Sequence, residues 1–215
     1  MEIPLHNRLK KQMHREMAAL QDLVVEKMYS ADESAVLHGG TAIWRCFKGS
    51  RFSEDLDFYL KPKESFRESI ESALNAAGAK LSKFRQTGNA IYAKVEYGRS
   101  SMSLEIALRK FPNPVASGYE KTDGTFIDAL TPSTPALLLE KLDAYLSRRL
   151  IRDIYDVYFL SRQVKEDEAY NKKVSGMLEK LPKPADEQNL KNLILSGAVP
   201  SFSQMAEALK WRFSG

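Results

Sequence analysis

One cysteine, three scattered histidines and no long apolar run leave several functions without material. Cys46 is the only cysteine, so an internal disulfide is excluded and a reducing cytoplasm is the expected setting. His6, His14 and His38 do not group with it at the spacing of a zinc site. No stretch approaches the roughly 18 apolar residues of a membrane span, and no membrane partner is expected. Met1 to Lys11 is polar and basic without an apolar centre, so no secretory leader is expected. Charge of neither sign dominates: 32 Lys and Arg face 28 Asp and Glu, a net charge of +4. With a pI near 9.0 this leans weakly towards anionic partners such as nucleotides or RNA. Internal repeats and low-complexity segments are missing as well.

What is present fits one good core or two small ones in 215 residues. Apolar residues at helical spacing predict a helix over about Leu5–Tyr29. Ala35–His38 reads as a short strand running into Gly39-Gly40-Thr41, and Ala42–Phe47 as the first turns of a helix. Asp55–Leu60 begins with the alternation of a half-buried strand, which Pro62 closes. A helix is expected at Glu64–Ala77, ended by Gly78. Strands are expected at Lys80–Arg85, Ala90–Tyr97, Ser101–Arg109 and Phe126–Leu130, with a loop around Pro112 and Pro114. Thr131-Pro132-Ser133 reads as a helix start. Helices are expected after it at Pro135–Arg148, Arg152–Arg162, Glu166–Leu181, Glu187–Ser196 and Ser201–Phe213. The expected fold class is α+β: a mixed sheet with flanking helices and an N-terminal helix over 1–130, then a helical domain over 131–215.

Asp55-Leu56-Asp57 carries the chemistry. Residues two apart on a strand share a face, roughly 6–7 Å apart along the backbone, so both carboxylates emerge together while Leu56 and Phe58 turn to the core. A hard divalent cation relieves the repulsion between them. A bare Asp-x-Asp equally describes two solvated carboxylates on an edge strand. Three other features bear on that choice. Gly39-Gly40-Thr41 stands where a strand turns into a helix, and amides at a helix start form an anion site, although Gly-Gly also makes ordinary turns. Glu105 is the one acid in the apolar run Ser103–Ala107, either solvated or positioned as a third carboxylate. Lys48, Arg51 and Ser53 fill the loop between glycines and aspartates, to meet phosphates or only water.

Residues His38 to Leu60, HGGTAIWRCFKGSRFSEDLDFYL, resemble the signature of the nucleotidyltransferase fold, Gly-Gly/Ser followed by Asp-x-Asp. The string Arg51-Phe-Ser53-Glu-Asp55-Leu-Asp57-Phe is similar to the AbiEii/AbiGii abortive-infection toxin nucleotidyltransferases, as is TPSTPALLLEKLDAYLSRRLIRDIYDVYFL, Thr131 to Leu160. The resemblance covers about residues 35 to 162. Thr41 stands where many members of the wider superfamily have Ser.

The resemblance implies a nucleotidyltransferase-like sheet and a magnesium- or manganese-dependent transfer of a nucleotide from an NTP. The acceptor would be an RNA such as a tRNA, or a protein. It implies Asp55 and Asp57 as metal ligands, with Glu105 completing a metal site or acting as base. Gly39, Gly40 and Thr41 would cradle phosphates, with Ser53, Arg51 and Arg152 as further nucleotide contacts. Lys141 would neutralise the leaving phosphates, and Asp153 of the Arg-Asp-x-x-Asp motif would stand at the rim. For Arg148 and Arg152 the bland reading is a favourable helix end; for Asp153 it is a cap paired with Arg149 or Arg152. A small DNA-binding antitoxin encoded nearby is the implied partner. The rival reading is a catalytically silent nucleotide-binding or antitoxin-like protein of the same fold; a housekeeping transferase is a third.

Overall fold

The computed structural model describes residues 3–165 and 167–214. The start expected for one helix, Glu166, and Met1 of the basic N-terminal stretch lie outside them. The chain divides into two compact units, Met1–Lys48 with Phe52–Pro132, and Gly49–Arg51 with Ser133–Gly215.

The first unit holds helices α1 (Leu5–Arg8), α2 (Gln12–Ala31), α3 (Gly39–Cys46) and α4 (Phe66–Ala76). Its strands are β1 (Val36–His38), β2 (Leu56–Tyr59), β3 (Lys80–Gln86), β4 (Ala90–Tyr97), β5 (Ser100–Ala107), β6 (Val115–Glu120) and β7 (Phe126–Thr131). They form one mixed sheet in the order β3-β4-β5-β2-β1-β7-β6. The β2·β5 and β1·β7 pairs are parallel and the other four antiparallel.

Alternation decides the faces. Ile91, Ala93 and Val95 of β4, Leu104 and Ile106 of β5, Phe58 of β2 and Leu37 of β1 are buried. They join Leu20, Val24 and Met28 of α2 and Ile70 and Leu74 of α4 in one core. The residues between them, Tyr92, Lys94, Ser103, Glu105 and Asp57, belong to the opposite face.

The second unit contains α5 (Thr134–Arg148), α6 (Ile151–Ser161), α7 (Glu168–Leu178), a 3₁₀ turn (Glu187–Asn189), α8 (Leu190–Leu193) and α9 (Phe202–Phe213). Arg149, at φ 57, turns the chain between α5 and α6 in the left-handed region. Leu138, Leu142, Tyr145, Ile154, Val157, Met205 and Leu209 are fully buried there. Ser201 and Gln204 form a capping box at the start of α9.

Two expectations need correction, and one strand was not expected. The helix over Leu5–Tyr29 is two, because Leu9 is extended and its carbonyl accepts from Arg15 Nε at 2.7 Å. The stretch after Pro114 includes a strand, β6: its Val115–Glu120 lacks strong strand propensity, but β7 pairs with all six residues. Glu187–Ser196 stops being helical at Leu193, since Ile194 turns extended and bridges Arg51.

Candidate active site

The first unit gathers the three expected carboxylates in one groove. Glu105 stands directly opposite Asp57 in the parallel β2·β5 register, and β4 sets Tyr92 opposite Glu105 and Lys94 opposite Ser103. Asp55, Asp57 and Glu105 line a groove of about 430 Å³ with Lys83, Tyr92, Lys94 and Ser103. Asp55 and Asp57 are half-buried and Glu105 is exposed.

Helix α3 begins beside Asp57. Gly39 has φ +73, and a Cβ there would run into the Asp57 carboxylate, lying 3.0 Å from Cγ and 3.2 Å from Cβ. The glycine is therefore required twice, by its backbone angle and by the closeness of the acid. Thr41 is fully buried, and its hydroxyl donates to the Asp55 carbonyl at 2.6 Å. Its hydroxyl thus shapes the chain entering β2. Gln21 of α2, which the sequence did not single out, completes this support. Its fully buried amide donates to the Ser53 carbonyl at 2.7 Å and the Glu54 carbonyl at 3.2 Å. Ser53 thus enters through its backbone.

The donor set suits a hard divalent cation in kind: carboxylate oxygens on one face of two neighbouring strands. As they stand, no three His, Cys, Asp or Glu side chains among the described residues are gathered closely enough to hold a metal ion. The parallel register sets Asp57 and Glu105 on the same face of neighbouring strands.

Lys83, Lys94, Tyr92 and Ser103 are groove residues that sequence reasoning missed. Tyr92 and Lys94 share one face of β4 by strand alternation. That this face is the one carrying Glu105 depends on register.

The remaining expected residues belong to the second unit, where Arg51, Lys141 and Asp153 form a charge cluster with Arg148 and Asp156. Arg51 is buried and meets Asp156 through two bonds, Nε to Oδ1 at 2.8 Å and Nη2 to Oδ2 at 2.7 Å. Lys141 Nζ lies 3.0 Å from Asp156 and 3.7 Å from Asp153. Arg148, and neither Arg149 nor Arg152, holds Asp153, through two bonds of 2.7 Å. Arg51, expected on phosphates, is committed to Asp156, since a buried guanidinium needs a counter-charge. Arg152 is half-buried on the first turn of α6. Asp156, the second acid of the Arg-Asp-x-x-Asp motif, pairs with both Arg51 and Lys141. Burial opposes its ionisation, but the charges of Arg51 and Lys141 outweigh this and hold its carboxyl below the ordinary value. Burial pushes the Cys46 thiol up to about 12, which disfavours the thiolate.

A family model described as "Nucleotidyl transferase AbiEii toxin, Type IV TA system" matches residues 24–206. Among solved structures, JHP933 from Helicobacter pylori is 21% identical with a TM-score of 0.70, covering 95% of this chain and 91% of that one. A putative nucleotidyltransferase from H. pylori is also 21% identical, TM-score 0.66, over 95% and 94% of the two chains. MenT4, a nucleotidyltransferase toxin of Mycobacterium tuberculosis, is 19% identical, TM-score 0.65, over 94% of this chain and 83% of its own. The comparison with curated proteins finds no match. Among the described residues no helix is long and apolar enough to cross a membrane.

Proposed function

The chain belongs to the AbiEii nucleotidyltransferase toxin family, and from that premise we propose that it moves a nucleotide from an NTP to a hydroxyl of an RNA or protein acceptor at the Asp55–Asp57–Glu105 groove. The observation that carries the reading is the position of Asp57, packed against Gly39 at the first turn of α3 and opposite Glu105 on β5. An anion site at a helix start and a carboxylate site for its counter-cation are thus neighbours.

In this reading the amides of Gly39, Gly40 and Thr41 hold the phosphates, and Asp55 and Asp57 bind magnesium or manganese, with Glu105 as third ligand or base. The metal, when bound, supplies positive charge to the phosphates and lowers the pKa of the acceptor hydroxyl. The hydroxyl oxygen bonds to the α-phosphorus as the bond from that phosphorus to the β-phosphate oxygen breaks. Pyrophosphate leaves, and the proton passes to Glu105 or to water. Gln21 and Thr41 fix the carbonyls of residues 53 to 55, and so the direction in which Asp55 leaves the backbone.

Lys141, Asp153 and Arg152 remain proposed contributors. Asp156 pairs with Arg51 and Lys141, and Asp153 with Lys141 and Arg148, so Lys141 joins the two acids. A toxin role in the cytoplasm, restrained by an antitoxin encoded beside it, is the biological side of the proposal.

Incubation with each labelled NTP, magnesium or manganese, and total RNA or lysate tests the reading. Metal-dependent label on RNA or on a polypeptide supports it. No transfer from any NTP with either metal would sink it.

A further inference from the structure

Resting on the donor site proposed above, the order of the sheet fixes where the acceptor must lie. Strand β1, which leads into Gly39, flanks β2 on one side, and β5 then β4 flank it on the other. A triphosphate whose leaving end sits at the start of α3 points its pyrophosphate towards β1. In-line displacement sets the attacking oxygen opposite the leaving group. The acceptor therefore arrives over β5, β4 and β3.

That side of the groove is equipped for a particular chemistry. Tyr92 faces Glu105 across the β4·β5 pair and lies about two strand spacings, ~10 Å, from Asp57. Tyr92 is 39% exposed, with the Arg85 guanidinium 5.3 Å from its ring centre. The register of β3 shifts between Ser82 and Arg85, and Lys83 there has φ 50. This bulge brings Lys83 into the groove beside Lys94, while the next residue, Phe84, packs on the core. Among the described residues neither Lys83 nor Lys94 has an ion-pair partner. Glu96, further along the same face, is held by the Ser82 hydroxyl at 2.9 Å.

We infer that Lys83, Tyr92 and Lys94 form the acceptor subsite, and that it takes a single-stranded nucleic-acid end, its phosphates on the two lysines and a base on the Tyr92 ring. Two unpaired cations spaced around an open aromatic ring complement a polyanion that carries flat bases. A polypeptide acceptor has no regular use for this pairing.

The test measures binding without NTP or metal, so it does not depend on turnover. A labelled, short single-stranded oligoribonucleotide is titrated with the full chain and followed by fluorescence anisotropy. The variants are Lys94→Gln, Tyr92→Ala and Lys83→Asn, the last because asparagine tolerates the left-handed backbone. Each is expected to weaken binding about tenfold at low salt. The two lysine variants should also lower the salt dependence by about one released counterion. Lys173→Ala, on an exposed position of α7, serves as control and should bind as wild type. Calorimetric titration of wild type with NTP and magnesium runs in parallel. NTP binding without oligonucleotide binding, or oligonucleotide binding unchanged in all three groove variants, overturns the subsite and leaves the donor reading intact. Label from NTP appearing on a polypeptide and never on RNA overturns it in favour of a protein acceptor. Oligonucleotide binding that the variants weaken, with no NTP binding, removes the donor reading and with it the acceptor role of the groove.

Discussion

Gly39 and Asp57 are packed so closely that the glycine has no room for a side chain: a Cβ would meet the carboxylate. Its φ of +73 adds a second penalty for any other residue. Gly39→Ala is expected to lose about 1–2 kcal/mol of stability from the backbone angle, and more where Asp57 is pushed aside. Urea unfolding read beside turnover checks this. A variant with wild-type stability and wild-type turnover would mean that the contact constrains nothing.

Asp55→Asn and Asp57→Asn each remove a charge at constant size from half-buried positions. Metal-dependent turnover should fall by about two orders of magnitude or more, with circular dichroism unchanged. Glu105→Gln should cost less, since Glu105 is exposed and shares its role with water. Full activity in both aspartate variants would end the carboxylate reading. Full activity in Glu105→Gln alone would leave a site with two protein carboxylates.

Much of this site was legible in the sequence because its logic is local. Strand alternation put Asp55 and Asp57 on one face, and the same alternation separated Glu105 from Leu104 and Ile106. What was hidden depended on partners far along the chain. That Glu105 meets Asp57, and that Tyr92 meets Glu105, are facts of register between strands. The Lys83 bulge breaks the alternation on which a reading of β3 relies. Strand β6 is defined by its pairing with β7, since Ser117 and Gly118 have weak strand propensity of their own. Arg51 looked like a phosphate contact because its loop leads to the aspartates, whereas Gly49–Arg51 belongs to the second unit.

Gln21 and Thr41 give a test of positioning. Thr41→Val keeps the volume and removes the bond to the Asp55 carbonyl; Gln21→Leu removes those to Ser53 and Glu54. Each leaves partly buried carbonyls short of a donor, at a cost of about 1 kcal/mol. If these bonds aim Asp55, the magnesium concentration for half-maximal turnover should also rise several-fold. Thr41→Ser should restore both quantities. A stability loss with unchanged magnesium dependence would reduce the pair to ordinary packing.

Lys141 separates chemistry from architecture in the second unit. Its ion pairs with Asp156 and Asp153 predict a loss of stability for Lys141→Ala. The proposed catalytic role predicts more: kcat per folded molecule lower by roughly two orders of magnitude, the scale of a lost preorganised charge. Lys173→Ala should change neither. If turnover corrected for the folded fraction were equal in the two variants, Lys141 would be structural only.

Asp156 carries the pH dependence of that cluster. Desolvation alone would raise its carboxyl, but Arg51 and Lys141 reverse the effect and hold it below the ordinary 3.8. A carboxyl depressed on folding adds stability that is fully present above the unfolded pKa and lost as pH falls through the folded one. Wild-type stability should therefore include this contribution at about pH 5 and above and shed it below about pH 4. Asp156→Asn keeps the shape but leaves the buried Arg51 and Lys141 without their shared counter-charge, which costs about 3–5 kcal/mol at neutral pH. Urea midpoints of the two proteins, measured from about pH 7 down to pH 3, should differ most at the neutral end and converge in acid. A gap that stays constant across that range would show that the carboxyl does not titrate differently in the folded chain. The charge of Asp156 would then contribute nothing to holding Arg51 in place.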